Sequence, residues 1–301
     1  MKTPVISVIM PAFNAGKTLA ASIQSVQGQT LQDWELIVID DGSRDDTAAI
    51  AKEFEKEDAR IILLQLSKNA GLPNARNQGC RKSAGEFIAF LDSDDLWHAD
   101  KLKQQLAFHR AHPDVGISHT AFEEFNESGP LKRRFKQFVD KRSDKAGYLF
   151  PELCYRNSVG VLTVMIKKEL FFAAGLFDAS LYTFEDHDLW IRVAKLGAKF
   201  GYLDATLAYY RISPGGISKQ PGKYKKAYKR FIQKLLAQYA LDKTLLWRFY
   251  YRYFGTIYFH KGNFYLARLY FKKSIQLRPF DYLALTTYAY LFLATMKMWR
   301  T

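Results

Sequence analysis

The amino-acid sequence predicts an α/β fold with a mostly parallel open sheet flanked by helices, followed by an all-helical C-terminal appendage. Short apolar, β-branched runs without strict alternation, at residues 5–10 and 35–39, are typical of strands buried on both faces. Between them, Leu19, Ile23 and Val26 recur at helical spacing. A strand, a helix and a second strand in this order form a βαβ unit, and such units build parallel sheets.

The same alternation continues along the chain. Helices are predicted over residues 18–27, 46–56 and 71–83, and strands over residues 60–65 and 87–91. Beyond residue 115 the pattern loosens, and the predicted elements are strands at 116–121, 161–166, 200–203 and 208–211 and an amphipathic helix at 184–196. The turn residues 213–216 (SPGG) then predict a domain boundary just beyond Gly216. We therefore expect one domain over residues 1–216 and a second over 217–301.

Composition and cysteine content narrow the class of protein. The chain has 301 residues, of which 48% are hydrophobic, so it can bury a sizeable core. Cys80 and Cys154 are far apart and outside any CxxC motif, which argues against a disulfide framework or a zinc site. The first apolar run, residues 5–10, is far too short to span a bilayer. We expect a cytoplasmic protein.

The net charge of +14 is concentrated near the C-terminus. Residues 211–301 contain 18 Lys and Arg but only 2 acidic residues, whereas residues 1–210 are nearly neutral. Such a tail attracts an anionic membrane surface or nucleic acid. Because no known nucleic-acid-binding motif accompanies it, we favour peripheral attachment to the inner face of the cell membrane and expect no nucleic-acid partner. A second basic stretch, residues 127–145, is interpreted as a mobile surface segment or a solvated loop.

The tail also matches the 34-residue tetratricopeptide pattern over about residues 248–280. The matching residues are Tyr251, Phe254, Gly255, Tyr258, Ala267, Phe271, Ser274 and Pro279. One repeat cannot bury its own apolar face, so it must pack on the preceding domain or on a partner. The final apolar segment, residues 282–298, falls short of the ~20 residues needed to cross a bilayer. It lies in a membrane interface or closes the repeat.

An acidic cluster follows the predicted fourth strand. Asp92, Ser93 and Asp94 come directly after the apolar run 86–91, and Asp95 is next. Three carboxylates in four residues repel one another unless a cation or hydrogen-bond donors absorb their charge. A hard divalent cation that bridges carboxylate and phosphate oxygens is one solution. The alternative is a solvated acidic turn that caps a helix starting near Trp97.

Three further groups are expected at the same edge of the sheet, where α/β folds bind their ligands. They are residues 11–14 (PAFN) after the first strand, residues 40–43 (DDGS) after the second, and Glu185-Asp186 at the start of a helix. Phe13 offers an aromatic face beside exposed backbone N–H groups. An aromatic face, an acid for a base N–H, an acid for ribose hydroxyls and a metal-binding acid together describe a nucleoside diphosphate site.

The order of these segments resembles glycosyltransferase family 2. The matching stretches span roughly residues 4–215 and are PAFN, ELIVIDDGSRDDT, NAGLPNARNQG, GEFIAFLDSDDLW and FEDHDLWIRV. No GxGxxG follows the first strand, which argues against a Rossmann dehydrogenase. The resemblance implies a GT-A fold, a nucleotide-sugar donor (UDP-sugar favoured), a Mg²⁺ or Mn²⁺ ion and inversion at the anomeric carbon.

The resemblance also implies which residues bind the nucleoside. Pro11 and Phe13 would enclose the base, and Asp41, or its neighbour Asp40, would accept the imide N–H. Asp92 would contact the ribose. The adjoining residues of the same segments are included in the donor site, and they are Ala12, Asn14 and Ser93.

By the same resemblance, Asp94 would bind the cation across the diphosphate and Asp186 would be the general base. Arg76 would steady a phosphate. Many relatives carry a histidine after the last strand that approaches the metal. The matching stretch here, residues 210–214 (YRISP), contains none.

Each of these residues has an ordinary structural alternative. Arg76 could be a helix-surface arginine, and Asp186 could be an N-cap, in which case Asp188 would be the next candidate base. His187 could bind metal, although a histidine beside acids is more often structural. Trp190 could stack on an acceptor sugar or fill the core.

The leading functional hypothesis is a glycosyltransferase that extends a glycan or lipid-linked acceptor, in bacterial surface polysaccharide synthesis. A second hypothesis is an enzyme that processes nucleotides or sugar phosphates at the same base site. A third is a scaffold, in which a degenerate transferase domain carries a protein-binding helical tail. Asp92, Asp94 and Asp186 argue against a scaffold, because an inactive domain has no need of three convergent acids.

Overall fold

The structure is a computed structural model that describes residues 3–131, 145–181, 183–212, 221–280 and 282–298. The chain divides by its internal contacts into two compact units. The sheet unit comprises Met1–Leu153 and Asn157–Pro221, and the helical unit comprises Cys154–Arg156 and Gly222–Thr301. The boundary predicted just beyond Gly216, and most of the basic stretch 127–145, lie outside the described residues.

The first 91 residues contain every element that the sequence predicts, with ends within two residues of the predicted ones. These elements are β1 (Ile6–Ala12), α1 (Leu19–Gln27), β2 (Trp34–Asp40), α2 (Thr47–Glu57), β3 (Ile61–Gln65), α3 (Leu72–Lys82) and β4 (Phe87–Phe90). Every residue of β1 and β2 is buried. Burial on both faces explains why these two strands do not alternate between apolar and polar residues.

The rest of the sheet unit contains shorter elements. They are β5 (Leu96–Trp97), α4 (Lys101–Ala111), β6 (Val115–Asn126), β7 (Gly129–Pro130), α5 (Glu152–Tyr155), β8 (Met165–Lys167), α6 (Lys168–Ala173), α7 (Glu185–Lys195) and β9 (Lys199–Arg211). The helix expected to start near Trp97 begins only at Lys101, because residues 96–97 pair with β9.

The strand predictions in this part of the chain are wrong in extent. The strand predicted at 116–121 is β6, which continues to Asn126. Only the end of the run 161–166 is extended, since Val161–Thr163 form one turn of 3₁₀ helix. The separate strands predicted at 200–203 and 208–211 are the single strand β9. Its pairing with β6 shifts register between Thr120 and Phe122, which hides the continuity from a local pattern.

The strands of the described residues form one sheet in the order β3-β2-β1-β4-β8-β6-β9-β5, with β7 paired to β6. Strands β1 to β4 pair in parallel, and so do β6 and β9. The pairs made by β8 and by β5 are antiparallel. Because β1, β2 and β4 are parallel neighbours, the residues that follow them emerge at one edge of the sheet.

Helix α3 lies unusually close to this parallel half of the sheet. A Cβ atom at Gly79 would lie 2.5 Å from Ile39 Cδ1 and 2.9 Å from Ile9 Cγ2. Both isoleucines are completely buried, so neither can move aside at low cost. The absence of a side chain at residue 79 therefore fixes the depth of α3, and with it the position of Arg76 one turn earlier.

The helical unit contains α8 (Pro221–Gln238), α9 (Lys243–His260), α10 (Phe264–Leu277) and α11 (Tyr282–Met298). Asp242 and Asn263 cap α9 and α10, accepting the N–H groups of Leu245 and Leu266 at 3.0 and 3.1 Å. None of the helices in the described ranges combines the length and hydropathy of a membrane-spanning segment.

Helices α9 and α10 approach closely where the sequence has small residues. A Cβ at Gly255 would lie 2.6 Å from the Phe271 ring, and Ser274 Oγ donates to the Arg248 carbonyl at 3.2 Å. Ala267 is completely buried between them. The expected close packing is present, while membership of the tetratricopeptide class stays a prediction.

Aromatic rings in the helical unit surround one of its lysines. The Lys225 ammonium donates to the Tyr258 hydroxyl at 2.8 Å and lies 4.7 Å from the Tyr270 ring centroid and 5.6 Å from that of Phe254. Cation–π attraction of this kind lets a charged side chain join helices together. Part of the basic and aromatic content of the tail is therefore used internally.

We expect Gly79→Ala to lower the free energy of unfolding by about 1–3 kcal/mol, the usual cost of overfilling a packed core. In a helix, alanine is more favourable than glycine by about 1 kcal/mol, so helix propensity alone predicts that the substitution raises the free energy of unfolding. Chemical denaturation followed by circular dichroism measures the change. Gly222→Ala, on α8, is the matched control, because a Cβ there would meet no described atom within 4 Å apart from its chain neighbours and its own helix backbone. Equal unfolding midpoints for wild type and Gly79→Ala would contradict the packing argument.

Candidate active site

The loops that follow β1 and β2 are joined by their polar side chains. Asn14 has a positive φ of 50°. Its N–H donates to Ser43 Oγ at 2.9 Å, and its Oδ1 accepts the Arg44 N–H at the same distance. Pro11 and Ala12 are buried at the end of β1, whereas Phe13 is 47% exposed. The predicted aromatic face is therefore accessible beside a rigid pair of loops.

Asp40 and Asp41 are both buried at the end of β2. Asp40 accepts the Ser43 N–H at 3.0 Å. The two oxygens of Asp41 accept the N–H groups of Ala70 and Gly71 at 2.7 and 2.9 Å. Asp41 thus holds the loop that leads into α3. Each carboxylate oxygen can accept a second hydrogen bond, so these contacts do not exhaust either acid.

Arg76 connects two of the predicted acidic groups. Its side chain is 1% exposed, and its two terminal nitrogens donate to Asp92 Oδ1 at 2.6 Å and to Glu185 Oε1 at 2.7 Å. Burial opposes its charge, but the two carboxylates together raise the pKa of Arg76 above its ordinary value. The interpretation of Arg76 as a helix-surface arginine is wrong. The guanidinium instead holds the end of β4 against the start of α7.

Residues 92–95 (DSDD) form the acidic cluster after β4, which we call the DSDD cluster. Its two remaining acids, Asp94 and Asp95, have different surroundings. Burial, and next the charge of Asp92, raise the pKa of Asp94 to about 6. Burial and the neighbouring carboxylates of Asp94 and Asp92 also raise the pKa of Asp95 well above its ordinary value. Asp95 Oδ1 accepts the Arg211 N–H at 2.8 Å, so this acid ties the cluster to the end of β9. Ser93, which lies between Asp92 and Asp94 in the sequence, is half-buried.

Arg211 was not selected from the sequence as a site residue. Its Nε donates to the Asp94 carbonyl at 2.7 Å, and its guanidinium lies 4.5 Å from the Phe125 ring centroid. It therefore brings a positive charge to the cluster in the stretch where no histidine was found. The only sequence signal was its place at the end of the last strand.

Helix α7 begins at Glu185, after Phe184 with a positive φ of 70°. Phe184 occupies the cap position without a side-chain cap bond, so the N-cap interpretation of Asp186 is wrong. Asp186 Oδ1 accepts the His187 N–H at 2.7 Å, and its side chain is half-buried. Burial raises the pKa of Asp186 above its ordinary value.

The other candidate residues of α7 have structural roles. Asp188 is 2% exposed and forms an ion pair with Arg192 at 2.9 Å. His187 is buried, with Nε2 2.6 Å from the Leu153 carbonyl oxygen. Trp190 is completely buried, 6.3 and 6.4 Å from the ring centroids of Phe90 and Phe177, so it belongs to the core and does not face a sugar.

The comparison with known families assigns this arrangement. The model of Glycosyl transferase family 2 matches residues 7–161, about half of the chain. The chain belongs to glycosyl transferase family 2. It is therefore a glycosyltransferase. The residues that follow β1, β2 and β4 lie within the matched region, whereas Glu185, Asp186 and Arg211 lie beyond it.

Two relatives support this assignment along most of their length. The putative teichuronic acid biosynthesis glycosyltransferase TuaG of Bacillus subtilis is 31% identical over 73% of this chain and 84% of the relative. The Escherichia coli protein WfgD is 33% identical over 71% of this chain and 79% of the relative. WfgD is named as a UDP-Glc:alpha-D-GlcNAc-diphosphoundecaprenol beta-1,3-glucosyltransferase. The name of TuaG refers to teichuronic acid biosynthesis.

Solved structures agree with the fold. S. aureus TarS 1–349, in complex with UDP-GlcNAc, superposes with a TM-score of 0.65 over 96% of this chain and 88% of that chain, at 21% identity. The mannosyltransferase PcManGT of Pyrobaculum calidifontis, in complex with GDP-Man and Mn²⁺, gives 0.63 over 99% and 87%, at 16% identity. At these identities the likeness establishes the GT-A fold of the glycosyltransferase.

Asp94 is the residue of the DSDD cluster that could hold a cation, as one protein ligand beside those of a substrate. Among the described residues there is no group of three or more His, Cys, Asp or Glu side chains placed to hold a metal. Asp92 is already paired with Arg76, whereas Asp94 has a raised pKa that burial and a like charge impose. A carboxylate in that state gains from a nearby cation, and the oxygens of a diphosphate are the ordinary co-ligands of Mg²⁺.

We expect Arg76→Met to destabilise the glycosyltransferase by about 3–5 kcal/mol, because it leaves two carboxylates without their buried partner. Burial, partly offset by the charge of Arg76, places the pKa of Glu185 at about 7, above its ordinary 4.5. Above that pH Glu185 is ionised, so removing Arg76 leaves its charge buried without a partner. Below that pH Glu185 is protonated and neutral. The loss of stability should therefore be larger at pH 8 than at pH 5.

Denaturation of wild type and Arg76→Met at both pH values measures this difference. The double variant Arg76→Met/Glu185→Gln is the control, because it removes the carboxylate together with its partner. We expect the double variant to lose less than the sum of the two single variants. Additive losses that do not depend on pH would show that Arg76 stabilises the unit by packing alone.

Proposed function

We propose that this glycosyltransferase is inverting and cation-dependent, and that it transfers a sugar from a nucleotide-diphosphate sugar, UDP-sugar favoured, to a hydroxyl of a glycan or lipid-linked acceptor. The observation that carries the proposal is the bridge from Asp92 through Arg76 to Glu185. It joins the end of β4, where the donor would bind, to the residue that precedes the candidate base Asp186. One buried guanidinium would thus connect the strand end that binds the donor to the helix that carries the candidate base.

The nucleoside would lie over the joined loops after β1 and β2. Phe13 offers an exposed ring, and Pro11, Ala12 and Asn14 form the rigid turn beside it. Asp41 or Asp40 would accept the imide N–H of a uracil through a remaining lone pair. The name of WfgD, a relative 33% identical, specifies UDP-Glc as its donor, which supports the choice of UDP here.

The diphosphate would lie beside Asp92, Ser93 and Asp94. A Mg²⁺ or Mn²⁺ ion held by Asp94 would neutralise the charge that develops on the leaving diphosphate. Asp92 would contact the ribose while Arg76 fixes its carboxylate. Arg211, whose Nε donates to the Asp94 carbonyl, would add positive charge on the same side of the cluster.

Asp186 would remove the proton of the attacking acceptor hydroxyl. A raised pKa makes a carboxylate a stronger base, provided that it is ionised at the working pH. Its placement in the first turn of α7 supports this role, because Asp188, two residues further on, is turned into an ion pair with Arg192. The WfgD name specifies a diphosphoundecaprenol-linked acceptor, which supports a lipid-linked acceptor for this chain.

We expect the wild-type protein to bind UDP more tightly with Mn²⁺ than without it, and Asp94→Asn to lose this difference. The amide keeps the size of the carboxylate but cannot offer a charged ligand. Calorimetric titration of UDP, with and without Mn²⁺, measures both effects. Asp114→Asn, at an exposed acid that pairs with Lys199, is the control and should bind as wild type does. Full Mn²⁺ dependence in Asp94→Asn would move the cation site to another acid.

We expect Asp186→Asn to bind UDP with unchanged affinity while sugar transfer falls by ~10²-fold or more, as when a general base is lost. A screen of UDP-sugars with lipid-linked and glycan acceptors, read out as released UDP, supplies the assay. Asp188→Asn is the matched control on the same helix. It should lower the melting temperature through its broken ion pair yet retain transfer per folded molecule. If Asp186→Asn keeps a third of the wild-type rate, Asp186 is not the base.

A further inference from the structure

Helix α11 carries an apolar face on its outer side. Leu285 is 74% exposed and Phe292 is 64% exposed, and both lie on one stripe. The other exposed apolar side chains of the helix fall on the same stripe, and they are Tyr288, Leu293 and Met296. With 3.6 residues per turn, these five positions cover an arc of about 140°, so they lie on one side of the helix. From Leu285 to Met296 the stripe covers 12 residues and is about 17 Å long. We call it the α11 stripe.

The opposite face of α11 is occupied by the helical unit itself. Ala284, Thr287 and Ala294 are buried, and the Tyr290 ring stacks on Phe271 with centroids 5.4 Å apart. The inner face thus fixes the helix in place through small residues and one aromatic pair. The α11 stripe is left over after this packing and is not part of the core that α9, α10 and α11 form.

The positive charge of the helical unit indicates which kind of partner the α11 stripe would contact. Residues 222–301 contain 16 Lys and Arg and only 2 acidic residues, Asp242 and Asp281. Arg248 is buried and Lys225 is enclosed by aromatic rings, so these two do not add to the surface charge. Asp242 is already in an ion pair with Arg278. A second copy of this unit would therefore bring two strongly positive surfaces together, which costs free energy. An anionic lipid surface offers both the opposite charge and an apolar interior.

We propose that the α11 stripe inserts into the interfacial region of an anionic membrane, with α11 parallel to the membrane plane. A helix of 17 residues is shorter than the ~20 that a transmembrane segment needs, whereas an interfacial helix has no such requirement. Two further side chains of the helical unit would reach the same region from neighbouring positions. They are Phe280, 93% exposed directly before α11, and Tyr265, 66% exposed on α10.

Attachment of the helical unit to a membrane would not depend on the proposed chemistry. Electrostatic attraction and apolar insertion predict different responses to salt. The attraction of the lysines and arginines is screened over about 8–10 Å at physiological ionic strength. Burial of leucine and phenylalanine side chains is not screened. Both parts are needed for stable attachment.

Flotation with lipid vesicles tests the proposal on the full-length protein. Vesicles of phosphatidylcholine with phosphatidylglycerol are compared with pure phosphatidylcholine vesicles, at low and high salt. Leu285→Gln/Phe292→Gln removes the two most exposed side chains of the stripe without changing charge. Tyr148→Gln/Leu196→Gln is the matched control, because it replaces two exposed apolar residues, 71% and 53% exposed, in the sheet unit. Circular dichroism establishes that both double variants keep wild-type helix content.

We expect wild type and the control variant to float with the anionic vesicles but not with the neutral ones. The stripe variant should partition at least ~10-fold more weakly, since two large apolar side chains no longer leave water. Its residual binding should disappear at high salt. Equal flotation of wild type and the stripe variant would overturn the proposal, as would failure of wild type to float. Light scattering without lipid completes the test, because a dimer abolished by Leu285→Gln/Phe292→Gln would make a second copy the occupant.

Discussion

A buried guanidinium between two carboxylates is the interaction on which the site depends. Arg76 is removed from water and charged, a state that is stable only while Asp92 and Glu185 both remain in place. Its Nε has no hydrogen-bond partner among the described residues. The arginine therefore relies on its two terminal contacts. Displacing either carboxylate would leave a charge in a nearly dry environment, so the end of β4 and the start of α7 are held at a fixed separation.

The depth of α3 and the pairing of Arg76 are two parts of one constraint. Gly79 lets α3 approach Ile9 and Ile39, and this approach brings Arg76 to the carboxyl end of β4. Asp41 fixes the loop before α3 from the other side, through the N–H groups of Ala70 and Gly71. This edge of the sheet is thus positioned by the close packing at Gly79 and by the acids themselves, since Asp41 holds the loop before α3 and Asp92 holds Arg76.

The sequence predicted what local patterns determine. Buried parallel strands and helical spacing identified the elements of the first 91 residues, and the acids at strand ends predicted a site at that edge of the sheet. The predictions failed where pairing between distant segments determines the secondary structure. Residues 161–166 have a strand-like composition yet only their end pairs with β4, and β9 continues through a register shift that no local pattern reports. The partner of Arg76 could not be predicted either, because Glu185 lies 109 residues away.

That separation has a consequence for synthesis of the chain on the ribosome. Asp92 follows Arg76 by 16 residues, so this half of the bridge can form soon after β4 emerges. Glu185 is added 109 residues after Arg76, which at 5–20 residues per second is roughly 5–20 s later. During that interval the nascent chain carries a guanidinium that the finished fold buries but that lacks one of its two acids. Completion of the active site therefore waits for translation to reach α7, even though the parallel half of the sheet has already been made.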